Sequence, residues 1–344
     1  MSAEGSARGA NRAPFGGSLA AEQQAWGGHS LPDLGAIREA HARIAPYVHR
    51  TPVMTCRAID DEAGASLFFK CEHLQKVGAF KARGACNAVF ALDDKSARRG
   101  VVTHSSGNHG AALAYAARAR GIPAWVVMPA NAPAVKQANV RRFGAMVRLC
   151  EPNVTAREIA CDAVMRETGA TLIHPFDDPR VIAGQATAML ELLEAVPDLD
   201  AVVAPCGGGG LMSGTAIAAK AMRPAIRVLA AEPANADDAA RSYASGKLEA
   251  LPATTTIADG LRTTLSARTL FALRAHVDAF GTCSEVGILR AMRMIFERMK
   301  QVVEPSSSVP LACILERALD VANLRVGIIV TGGNVDLDKL AWTA

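Results

Sequence analysis

The chain has 344 residues, half of them hydrophobic, with 37 Lys plus Arg against 33 Asp plus Glu. That length leaves room for more than one domain and a large buried core. The near-balanced charge and an aromatic content of 5% argue against nucleic acid as a partner, and no apolar stretch approaches the roughly 20 residues that span a membrane.

In chain order, residues 1–30 are rich in Gly, Ala and Ser without an apolar core, and read as a disordered extension rather than a secretory signal. Beyond them, short apolar runs alternate with segments whose apolar residues recur at helical spacing. Strands are expected at Leu67–Lys70, Val101–His104, Ala124–Met128, Met146–Cys150, Thr171–His174, Ala201–Pro205, Arg227–Ala231 and Arg325–Thr331. Helices are expected at Asn108–Arg120, Ala134–Phe143, Thr155–Thr168 and Arg180–Ala195. This alternation predicts an α/β fold with parallel sheets covered on both faces, and ligand sites where strand ends lead into helices. The eight cysteines form no C-x-x-C pair and several sit in apolar runs, so they read as reduced thiols of a cytoplasmic protein.

Five clusters carry chemistry. Lys81, in Gly78-Ala-Phe-Lys-Ala-Arg-Gly84, becomes a nucleophile if burial strips its proton; an ordinary surface lysine is the plainer reading. His104-Ser-Ser-Gly-Asn-His-Gly110 opens a helix directly after a strand, where free backbone N–H groups suit a carboxylate; a simple serine cap competes with that reading. Cys206 precedes four glycines, 207–210, after another apolar strand. Such a run costs conformational entropy, but it lets several N–H groups converge on a phosphate. Thr331-Gly-Gly-Asn334 ends the last strand, as a turn or as a hydroxyl set against a ligand. Glu232 and Asp238 flank a Pro-containing loop, either solvated or offering oxygens to Mg2+ or Ca2+.

Together these stretches resemble the fold-type II pyridoxal-phosphate enzymes, in their serine racemase and serine/threonine dehydratase branch. The likeness runs from about Pro32 to Leu340 through FFKCEHLQKVGAFKARGA, VVTHSSGNHG, HPFDDPRVIAGQ, PCGGGGLMSG, AAEPANADD, IADGLRT, ERMKQVVEP and VTGGNVD. It implies a two-domain fold of the tryptophan synthase β type, with residues 31–99 and 178–344 as the large cofactor-binding domain and 100–177 as the small one. A homodimer and a small amino-acid substrate are also implied. Lys81 would join the cofactor covalently, Gly207, Gly208, Gly209 and Gly210 would cradle its phosphate, Asn108 would meet the ring hydroxyl, and Phe80 would lie near the ring. Thr331 would face the ring nitrogen; a neutral hydroxyl there leaves the nitrogen less protonated than a carboxylate would. Ser105, Ser106, Gly107 and His109 would surround the substrate carboxylate, and Glu232, the Ala236 carbonyl and Asp238 would bind a divalent cation.

The implied activity is that of an ammonia-lyase removing water and then ammonia from serine, threonine or 3-hydroxyaspartate. Racemisation is the alternative, with Lys81 and Ser106 on opposite faces of the α-carbon. For the second carboxylate of 3-hydroxyaspartate, Arg157 and Arg262 are the candidate cations, against the plainer reading of surface ion pairs. The sequence departs from the branch at Val77 and Ala79, where hydroxyl residues are usual, and at Ala111, where Gln is usual. Phe176 replaces the Asn of mammalian racemases, and EPSSSVP places Ser306 and Ser307 where a small Ala-Gly pair is usual.

Overall fold

The computed structural model describes residues 30–105, 107–132 and 134–339. Strands are β1 Val53–Met54, β2 Ser66–Cys71, β3 Val101–His104, β4 Ala124–Pro129, β5 Met146–Cys150, β6 Thr171–Leu172, β7 Ala201–Pro205, β8 Arg227–Pro233, β9 Ala279–Cys283 and β10 Arg325–Val330. The helices that bear on the site are α1 Lys81–Phe90, α2 Asn108–Arg120, α3 Val154–Thr168, α4 Pro179–Ala195, α5 Gly210–Met222, α6 Asp238–Ser245 and α7 Pro305–Leu315.

Two sheets form. The larger runs β1-β2-β10-β7-β8-β9, and all of its pairings are parallel except β1 with β2; the smaller runs β5-β4-β3-β6 and is wholly parallel. Parallel strands buried on both faces need continuous apolar sequence, and Ala201-Val-Val-Ala-Pro205 is buried throughout. Apolar cores lie on both faces of the larger sheet, one against α4 and α5, the other against α7. A third core joins α1 and α2 to strands of the smaller sheet. Helix α1 belongs to the span expected in the large domain, yet its Ala85, Cys86, Ala88 and Val89 pack in that third core.

Two expectations need correction. The strand expected over Thr171–His174 stops at Leu172, because only Val101 and Val102 of β3 pair with it. Strand β9, Ala-Phe-Gly-Thr-Cys, was not anticipated: its glycine interrupts the alternation, and the structure uses that gap to admit Leu319, which lies 2.6 Å from where a Cβ of Gly281 would sit.

Beneath the site, charged side chains that a sequence would place in water are instead buried. Arg83 of α1 donates to Glu72 (2.7 and 2.8 Å), to Glu191 of α4 (2.7 and 2.8 Å), to Thr187 and to the His49 carbonyl. Lys70 of β2 adds a bond of 2.6 Å to Glu191. Every guanidinium proton is used, so α1 is tied to the turn after β2 and to α4 two residues beyond Lys81.

Candidate active site

The strand ends converge on a cavity of about 1050 Å³ lined by Lys81, Ser105, Gly107, Asn108, His109, Arg157, Phe176, the glycines 207–210, Glu304 and Thr331, among others. In the larger sheet, the chain leaves β7 toward β8 on one side and returns by β10 on the other. The glycine loop after β7 therefore sits at the point where strand order reverses, as expected of an open parallel sheet.

Lys81 is the first residue of α1. The loop before it is zipped onto the end of β10: Phe80 N donates to the Thr331 carbonyl (2.9 Å), Gly333 N donates to the Gly78 carbonyl (3.0 Å), and Ala79 bridges Gly332. Val77 in this loop adopts φ 59°, a strained setting for a β-branched residue, and its carbonyl accepts from Asn334 Nδ2 at 2.8 Å. The Lys81 amine donates to the Pro175 carbonyl at 2.9 Å and lies 5.1 Å from the Phe80 ring centre. Burial pushes its pKa down to about 8, while the Glu304 charge pulls the other way. An amine so placed is available as a nucleophile near neutral pH.

The glycine loop has a steric cause. A Cβ on Gly208 would lie 2.4 Å from the Phe176 ring, one on Gly210 2.8 Å from the Phe176 side chain, and Gly209 has φ +83°. Helix α5 begins at Gly210, so its first N–H groups lack intrahelical acceptors and form an anion cradle. The cradle and the Lys81 amine face one cavity, which suits a phosphorylated aldehyde.

On the smaller sheet, β3 ends at His104 and α2 starts at Asn108 with Gly107 as its cap. Ser105 Oγ accepts from Gly107 N at 3.2 Å. Asn108 donates from Nδ2 to both Glu304 oxygens (2.9 and 3.2 Å) and accepts from Asn334 at 2.9 Å, which links α2 to the start of α7 and to the end of β10. His109 is buried and its Nε2 meets the Ile173 carbonyl at 3.2 Å; burial, then the Lys81 charge, hold its pKa well below 6.5. It enters the site as a neutral ring and brings no positive charge to a carboxylate. Ser106 lies outside the described residues.

The two candidate arginines separate. Arg157 of α3 lines the cavity, and its charge helps burial to lower the His104 pKa. Arg262 is exposed, donates to the Thr256 carbonyl, and is absent from the cavity lining. Sequence proximity to a pocket motif did not reveal that Arg262 turns back onto its own loop. Glu304, by contrast, was missed as a site residue: it sits in the ERMKQVVEP stretch just before Pro305, where an N-cap acid looks merely structural.

Glu232 and Asp238 also come together, at the end of β8 and the start of α6. Both carboxylates are buried; Glu232 accepts from Ala239 N (3.3 Å) and Ala240 N (2.7 Å), while neither oxygen of Asp238 has a hydrogen-bond partner in another residue. Burial raises both pKa values, Asp238 to about 6 and Glu232 well above the usual carboxylate range, with the Asp238 charge adding to the latter. Two buried acids with oxygens left over suit a hard cation. Among the described residues no cluster of three or more acidic, histidine or cysteine side chains marks a metal site, because the third oxygen here would be a backbone carbonyl.

Comparison with known proteins agrees with this geometry. The chain is 52% identical over 313 residues to the serine racemase of Oryza sativa subsp. japonica, covering 90% of this chain and 92% of that one. It is 51% identical over 312 residues to the beta-hydroxyaspartate dehydratase of Paracoccus denitrificans, covering 91% and 99%. The solved structure of maize serine racemase superposes with a TM-score of 0.88 at 51% identity, covering 91% and 97%. The profile described as pyridoxal-phosphate dependent enzyme matches residues 44–332, and the chain belongs to that family.

Proposed function

We propose that the chain is a dehydratase that eliminates water and then ammonia from a small β-hydroxy amino acid to leave a 2-oxo acid. The observation that carries this reading is the Lys81 amine, lowered to about pKa 8 and facing the same cavity as a glycine loop whose Cβ positions are sterically closed. Lys81 would hold the cofactor covalently, the N–H groups of Gly207 to Gly210 its phosphate, Asn108 its ring hydroxyl, Thr331 its ring nitrogen, with Phe80 beside the ring. When bound, pyridoxal phosphate supplies an electron sink for negative charge on the substrate α-carbon.

The chain's own residues do the rest. The Ser105 hydroxyl and the first free amides of α2, beyond Gly107, would bind and orient the substrate carboxylate. The Lys81 amine, freed by the substrate's own amine, takes the α-proton. The β-hydroxyl would then leave as water, taking up the proton that Lys81 holds from the α-carbon, and a second water would hydrolyse the resulting enamine, as its imine tautomer, to the 2-oxo acid and ammonia. Arg157 lines the cavity and would hold a second carboxylate there, which supports 3-hydroxyaspartate as the substrate. A divalent cation at Glu232, the Ala236 carbonyl and Asp238 would relieve the repulsion between the two buried acids.

Racemisation is the second reading, supported by the identity to serine racemases. It needs Ser106 on the face opposite Lys81. Ammonia release and enantiomer interconversion, measured side by side on serine, threonine and the 3-hydroxyaspartate diastereomers, decide between them. Interconversion of serine without ammonia from any substrate overturns the dehydratase reading. Arg157→Gln should depress turnover of 3-hydroxyaspartate by at least about tenfold relative to serine if that charge holds the distal carboxylate.

A further inference from the structure

We propose that Ser307 is a positioning residue that turns the Thr331 hydroxyl so that its oxygen, rather than its proton, faces the ring nitrogen of the bound cofactor. The consequence is a higher affinity of that nitrogen for a proton. This rests on the reading above that Thr331 meets the ring nitrogen.

Ser307 Oγ is buried and makes three contacts: Gly332 N at 2.7 Å, the Gly332 carbonyl at 2.7 Å and Thr331 Oγ1 at 2.9 Å. A hydroxyl has one proton and two lone pairs. The Gly332 N–H can only donate, so it takes one lone pair. The Gly332 carbonyl can only accept, so it takes the Ser307 proton. The second lone pair then faces Thr331, and Thr331 must donate to it. The opposite arrangement leaves two oxygens 2.7 Å apart with no proton between them. The Gly332 carbonyl also accepts from Glu304 N at 3.0 Å, and its two lone pairs accommodate both donors. Ser307 N in turn donates to the Glu304 carbonyl at 3.0 Å, so the serine is fixed within the first turn of α7.

With its proton spent on Ser307, Thr331 offers a ligand only lone pairs. A lone hydroxyl would donate to an unprotonated nitrogen; this one would instead accept from a protonated one. The expectation drawn from Thr331 by itself is thereby reversed in direction, although a neutral oxygen holds the proton less firmly than a carboxylate would. A more protonated ring is a stronger electron sink. The signal lies in the stretch Pro305-Ser306-Ser307-Ser308, where this sequence departs from a small apolar pair. The charged groups facing this corner are Glu304, whose Oε1 lies 2.6 Å from where a Cβ on Gly332 would be, and Lys81. Both are retained in every variant below.

The test uses holoenzyme loaded with pyridoxal phosphate carrying 15N in its ring, whose chemical shift is followed against pH by NMR. Ser307→Ala and Ser307→Gly both remove the hydroxyl, and either suffices if the other fails to fold; Thr331→Val removes the second oxygen. Both Ser307 variants should lower the proton affinity of the nitrogen by about tenfold, one unit of pH. Thr331→Val should also move the signal. If Thr331→Val moves it while the Ser307 variants titrate as wild type or more readily hold the proton, the role of Ser307 is refuted and the Thr331 contact stands. If Thr331→Val leaves the signal unmoved, the contact itself is wrong and the inference falls with it.

Discussion

The Lys81 amine gives the sharpest quantitative prediction. Its surroundings bring it from 10.5 to about 8, chiefly by burial, with the Glu304 charge opposing. At pH 7.5 about a quarter of such amines are uncharged, against about one in a thousand for an ordinary lysine, a gain of roughly 250-fold. The cofactor-free enzyme should therefore attach pyridoxal phosphate at a rate that climbs to a midpoint near pH 8, followed as the change in cofactor absorbance after mixing. Glu304→Gln removes the charge that supports the ammonium, so the midpoint should move lower. The same shift has a stability side: the folded state sheds this proton near pH 8 and the unfolded chain only near 10.5, so the burial penalty of about 3 kcal/mol is full below pH 8 and fades as pH rises to 10.5. A midpoint near 10, or an upward move in Glu304→Gln, would refute the assignment of Lys81 to a desolvated site.

Three further outcomes follow from the packing. Gly208→Ala drives a Cβ into the Phe176 ring and should weaken cofactor affinity at least about tenfold by equilibrium titration; unchanged affinity would show that the loop has slack. Arg83→Met leaves Glu72 buried without its counter-charge and Glu191 without one of its two buried cations, and should cost about 3–5 kcal/mol in urea unfolding, whereas a loss under about 1 kcal/mol would contradict the network. A chelator should lower the melting temperature of the wild type by several degrees and leave Asp238→Asn nearly unmoved; equal responses would place the cation elsewhere.

What the sequence made legible depended on the length scale of the signal. Asn108–Arg120 was readable because a strand, small polar residues and a helical period follow one another within one stretch, and the glycine run announced itself by composition. The buried assembly of Lys70, Glu72, Arg83 and Glu191 was not readable: each residue taken alone belongs in water, and only tertiary pairing removes the cost of burial. Arg157 and Arg262 looked equivalent because local motifs carry no information about side-chain direction. Ser307 was visible as a departure from its branch, but its bond to Thr331 joins positions 24 residues apart and depends on how α7 meets β10.

Phe176 and the glycine loop constrain each other. The ring fills the space that side chains on residues 208 and 210 would need, so neither position can gain a side chain while the aromatic stands, and trimming the aromatic leaves a hole the glycines cannot fill. The pair is therefore epistatic: changes that are harmful singly become tolerable together, and a loop grafted into another scaffold without its aromatic neighbour loses the wall that shapes it. Evolution at this corner must proceed by coordinated replacement rather than by independent steps.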